Sequence, residues 1–160
     1  MAEFFAEYKT IIVFLHVISA VVWVGGMVAI RFAAHQSFMQ IESPAHRLER
    51  VAHTLKRLFT IVVPFVIILL VTAIIMIKGY SLSQSEFSMT SHAKEGIWAL
   101  MAINLFVMIQ RRNRAVKLLS EGDMVGAKFS LGLIGKYMVP VNIILGVVAI
   151  FLGTTLSSNL

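Results

Sequence analysis

His16 stands about six residues inside a long apolar stretch, roughly 9 Å below its start at the rise of an α-helix. Polar groups at such depth are expensive and need a partner or a task. Ala20, Trp23 and Met27 follow His16 on one helical face, and Gly25-Gly26 lets a neighbouring helix or a flat ligand come close. A later stretch opens with His92, Lys94 and Glu95 and continues with Trp98, Met101 and Leu105 along one stripe. A neutral imidazole and an aromatic wall facing a gap between helices suit the axial ligation of haem iron. Plainer readings use the same residues: His16 bonded to a neighbouring helix, Lys94 reaching to the interface, and both tryptophans as packing. Met89, just before His92, adds a weak case for copper.

A second group is basic. Arg31 and His35 lie one turn apart, and His46, Arg50, His53 and Arg57 recur at i+3/i+4 spacing. Such a stripe can hold porphyrin carboxylates by charge-assisted hydrogen bonds, and it can equally meet anionic lipid headgroups. The chain has no cysteine, which excludes disulfides, thiolate metal sites and covalent haem attachment. No carboxylate falls mid-span, and nothing in the pattern points to nucleophilic hydrolysis or a phosphate loop.

The elements that must position these residues are helices in a membrane. Of 160 residues, 58% are hydrophobic and 14% charged, with a mean hydropathy of +0.85, and the apolar residues come in long blocks. Four blocks reach the roughly 20 residues needed to cross a hydrocarbon core: about Thr10–Ala34, Leu58–Ile77, Ala93–Ile109 and Tyr137–Leu156. The third is the weakest, because it holds Lys94, Glu95 and Asn104. The first is too long for a cleavable signal and is preceded by Glu3 and Glu7, so it is expected to remain as a span. Ser43-Pro44 makes an N-cap and first turn, which starts the second helix well before its apolar part. Glu121-Gly122-Asp123 reads as the turn before the last helix, and Pro64 and Pro140 invite kinks.

The fold expected is an all-α integral membrane antiparallel four-helix bundle, a single domain over residues 1–160, with helices at about 10–35, 44–78, 91–119 and 123–156. Lys and Arg concentrate in the first and third connections, which puts those connections in the cytoplasm and both termini outside. The net charge of +6 is thus segregated by loop, and it speaks for membrane lipid as a partner rather than for nucleic acid. A bundle this small leaves a homodimer open.

The stretch Phe14-Leu15-His16-Val17-Ile18-Ser19-Ala20-Val21-Val22-Trp23, with Gly25-Gly26, Arg31 and His35, resembles the first helix of HemJ-type and CopD-type membrane proteins. Ser91-His92-Ala93-Lys94 is similar to the His-Ala-Lys signature of HemJ proteins, and Arg50 to Pro64 is loosely similar to their second helix. The fourth helix departs from that pattern. Where HemJ proteins carry Asn-Glu-x-Pro, this chain reads Lys136-Tyr137-Met138-Val139-Pro140.

The resemblance implies a b-haem-binding protein of the bacterial inner membrane that oxidises protoporphyrinogen, an oxidoreductase passing electrons to quinone. By its motifs, His16 and Lys94 are the candidates for ligation or catalysis, with His92 as an alternative ligand and Trp23 in the pocket wall. Arg31, His35, His53 and Arg57 are the candidates for orienting the carboxylates of a tetrapyrrole. The CopD side of the resemblance implies copper handling instead, with Met89, His92 and His16 near the outer face. A structural subunit, whose polar residues only join helices, is the third expectation.

Overall fold

In a bilayer every backbone polar group must be satisfied within the protein, and apolar blocks of this length do so as helices. The computed structural model of the protein describes residues 2–79 and 88–158, and it is helical almost throughout, with no strand among the described residues. In chain order the helices are α1 (Ala2–Ala29), α2 (His35–Met39), α3 (Pro44–Gly79), α4 (Ser88–Ser120), α5 (Met124–Leu133) and α6 (Val139–Ser158). Single π-helical segments, Ile30–Ala34 and Ile134–Met138, join α1 to α2 and α5 to α6, so four long rods result.

The boundaries have local causes. The first rod begins earlier than the expected residue 10, because the polar-apolar stretch before it is also helical. A non-helical turn at Tyr8 (φ −106°, ψ 16°) separates that short piece from the apolar part. Phe5 from the early piece is buried and lies where a Cβ on Gly79 would be, so it closes the end of α3. Ser43 caps α3 as expected: its carbonyl accepts from Arg47 N at 2.9 Å and its hydroxyl from His46 N at 3.5 Å. Between α4 and α5 the chain turns at Gly122, whose φ of 81° suits glycine, and Asp123 caps α5 through Gly126 N at 2.8 Å.

The two prolines are absorbed differently. α3 runs through Pro64 as one continuous helix. Pro140 lies in the first turn of α6, just past the π segment that ends at Met138, and the widened turn closed by Val139 N on Ile134 O precedes it.

Neighbouring rods run antiparallel. Gly26 meets Leu58 and Val62 of α3, and Gly146 of α6 meets Val24 of α1 and Met101 of α4. The shared core is a column of Trp23, Met27, Leu55, Val62, Leu105, Met108 and Ile134. Outside it the apolar surface is extensive: Phe14, Ile61, Ile67, Ile144 and Phe151 are each more than half exposed. In water such a surface would drive aggregation, whereas in a bilayer it meets lipid. Among the described residues three helices are long and apolar enough to cross a membrane: Glu3–Met39, Pro44–Gly79 and Met124–Thr155. This is the make-up of a multi-pass helical membrane protein.

Candidate functional site

The best-placed chemical group is His16, half-buried on α1. Its Nδ1 lies 3.0 Å from the hydroxyl of buried Thr72 on α3. That hydroxyl is 2.7 Å from Ile68 O and 3.0 Å from Leu69 O, the usual back-bond of a threonine inside a helix. A hydroxyl that donates to a carbonyl accepts from the imidazole, which favours the tautomer with its proton on Nδ1. This is the arrangement that outer partners impose on a metal-binding histidine. Ser19, one turn below, is fully buried and satisfied by Leu15 O at 2.6 Å.

Helix register shows what shares this layer. Gly146 touches both Val24 and Met101, so those residues lie at about one depth. Equal steps back along the parallel helices α1 and α4 bring His16 level with the Ala93-Lys94 turn. The side chains of Lys94 and Met89 lie outside the described residues. His92 is described, and it faces outward, 69% exposed and 3.3 Å from Glu95 rather than against His16. The structure therefore joins His16 to Thr72, not to His92.

Deeper in the bundle, Trp23 is 1% exposed and belongs to the packed core. Its Nε1 and that of Trp98 are both buried without a hydrogen-bond acceptor. By the same register the two indoles sit within about 3 Å of one depth, on diagonal helices. Buried indole N–H groups ordinarily find a partner, and these two have none. Of the two glycines, Gly26 receives α3, since a Cβ there would lie 2.9 Å from Leu58 Cδ1, while Gly25 faces open space.

The basic candidates occupy the other end. Arg31 lies on the π segment, half-buried, while His35, His53 and Arg57 are exposed. Arg31 is separated from His16 along one rod by about 22 Å at the helical rise, farther than one tetrapyrrole's side chains reach from its own metal. The structure thus divides the expected site into two separate layers. No group of three His, Asp or Glu able to hold a metal occurs among the described residues.

Four groups not singled out by sequence reasoning tie the helices together. Asn104 on α4 donates through Nδ2 to Met138 O and Asn142 Oδ1, both at 2.8 Å, and fully buried Asn142 on α6 donates to Met101 O at 3.4 Å. Ser130 on α5 donates to Arg111 O at 3.0 Å. Arg112 on α4 donates through Nε to Ala52 O of α3 at 2.9 Å, and its partial burial lowers its pKa from the ordinary value. Their signal was polar residues in apolar surroundings, visible for Asn104 and Asn142 but without a partner assignment. Comparison with known proteins adds no assignment. No protein-family model, curated protein or solved structure matches the chain.

Proposed function

We propose that this chain is a b-haem-binding redox protein of the HemJ type, in a bacterial inner membrane, oxidising a porphyrinogen such as protoporphyrinogen with quinone as acceptor. The observation that carries the reading is His16, half-buried on α1 and set against the Thr72 hydroxyl of α3 through Nδ1, which would leave Nε2 as the nitrogen that ligates iron. The indole N–H groups of Trp23 and Trp98, one to two turns deeper in the bundle, support it as buried donors without an acceptor. The resemblance at Ser91-His92-Ala93-Lys94 adds Lys94, on a helix that register brings level with His16.

Haem, when bound, supplies a one-electron relay between porphyrinogen and quinone. Each pair of hydrogens removed from the substrate reduces one quinone to quinol. His16 would hold the iron, and Thr72 would fix the orientation of its ring. Trp23 and Trp98 close the site and keep water out. Arg31, His35, His53 and Arg57 serve the opposite end and do not share a tetrapyrrole with His16.

Four spans with both termini outside belong to the same proposal. α4 presents Leu100, Ile103 and Phe106 outward, each more than half exposed, which suits a lipid-facing fourth span despite Lys94 and Glu95. Eleven of the fourteen Lys and Arg gather at the end holding residues 40–43 and 121–123, with four of the eight Asp and Glu, leaving +7 there and −1 elsewhere. The positive-inside rule puts that end in the cytoplasm.

The test is an optical spectrum of the detergent-purified protein, oxidised and dithionite-reduced, with a pyridine haemochrome assay. A b-type spectrum that His16→Ala abolishes is expected. A colourless wild-type protein after expression with ample haem would remove the haem reading, and metal analysis would then decide on copper. A normal Soret band in His16→Ala would remove the ligand assignment alone.

A further inference from the structure

The basic end holds a groove that the haem reading leaves unused. The first turns of α3 place His46, Arg50 and His53 on one exposed side, and Ile41 from the preceding connection closes its far end. The resulting open cavity has a volume of about 580 Å³ and is lined by those four residues and Glu49. A second depression of about 340 Å³, between α3 and α4, shares Glu49 and His53 with it and brings in Arg112. Among the described residues the ion pairs are His92–Glu95 and Lys117–Glu121, so neither Arg50 nor Glu49 is engaged in one.

The donor set decides the chemistry. One guanidinium, two imidazoles and one carboxylate line the same groove, a set that fits a phosphate ester and offers Glu49 as the acceptor for a second group on the same ligand. We infer that this groove binds a phosphate ester that also carries an ammonium or hydroxyl donor, with Arg50, His46 and His53 on the phosphate and Glu49 on the donor. Two sources share this chemistry. His53 lies one turn, about 6 Å, beyond Arg57, where the apolar part of α3 begins, and the headgroup layer is itself about 5–7 Å thick on each side. A phospholipid headgroup of the adjoining leaflet therefore reaches the lower end of the groove, and a soluble phosphate ester reaches the upper.

The inference stands independently of haem. Its test uses the full-length protein in neutral detergent, titrated by calorimetry with short-chain phosphatidylethanolamine, short-chain phosphatidylcholine and soluble O-phosphoethanolamine. Saturable binding is expected, weakened at least tenfold by Arg50→Gln and unchanged by Lys128→Gln, which removes the same charge from an exposed position elsewhere. Glu49→Gln is expected to erase the preference for ethanolamine over choline, whose quaternary nitrogen has no N–H to donate. Binding of the lipid alone assigns the groove to the leaflet, and equal binding of the soluble ester assigns it to a cytoplasmic ligand. Absence of saturable binding by any probe, or equal weakening in Arg50→Gln and Lys128→Gln, overturns the inference. Arg50 and Lys128 are both exposed, so unchanged circular dichroism and elution volume confirm that either variant is folded.

Discussion

At the scale of single residues, the proposed haem ligation turns on the His16–Thr72 pair. A threonine that satisfies itself on its own helix has one remaining capacity, to accept, and the imidazole fills it with Nδ1–H. Replacing Thr72 by Val removes the acceptor with little change in shape and leaves His16 to choose its own tautomer. Loss of such an outer partner typically lowers metal affinity about 10–100-fold. The expected result for Thr72→Val is a haem complex with the same ligand but weaker retention, measured by transfer of haem to apomyoglobin. Transfer at the wild-type rate would show that the hydroxyl has no orienting role.

Between elements, polar clamps and close contacts hold the rods in register. Asn104 and Asn142 form the central clamp, with Met138 O and Met101 O completing it. Side-chain hydrogen bonds between membrane helices contribute about 0.6 kcal/mol on average and up to about 1.7. Asn142→Leu breaks two of them and leaves Asn104 half satisfied, so a loss of roughly 1–2 kcal/mol is expected, read as a lower unfolding temperature in detergent. A double-mutant cycle with Asn104→Leu should recover part of that loss, because the pair then has nothing left unpaired; strict additivity would disprove the coupling. Gly146 acts by size. A Cβ there would strike Val24, which is branched and cannot swing away, and Gly146→Ala is expected to cost about 1–3 kcal/mol by overpacking. At Gly26 the obstructing atom is the flexible end of Leu58, so Gly26→Ala should cost less in the same melting assay.

For the whole molecule, the exposed apolar surface points to a lipid environment, and charge segregation underlies the proposed orientation. The absence of cysteine makes the topology directly measurable. Single cysteines at Glu42 and Glu121, both exposed in the short connections, should react with an impermeant maleimide only after the membrane is opened. A cysteine at exposed Glu3 should react on intact cells. Labelling of Glu3→Cys and Glu121→Cys from the same side would mean that α4 does not cross the membrane, and the reverse pattern of labelling would mean that the orientation is inverted.

Much of this architecture is legible along the chain because a bilayer leaves few choices. A block such as residues 58–77 must be helical wherever it packs, and the residues at its ends announce the caps and turns, as Ser43-Pro44 and Gly122-Asp123 do. The helical state of residues 2–9 was not legible, since short segments depend on packing such as that of Phe5 against Gly79. Periodicity likewise proposed His16 as a chemical group, but its partner is 56 positions away on another helix, and no local pattern encodes that. His92 and His16 share a depth in sequence reasoning, yet rotation about the helix axis turns His92 outward to Glu95. The sequence by itself determined which residues enter the membrane, because hydrophobic burial is a property of each segment. Only the tertiary structure decided which polar groups meet, because a hydrogen bond depends on the rotation and register of two helices at once.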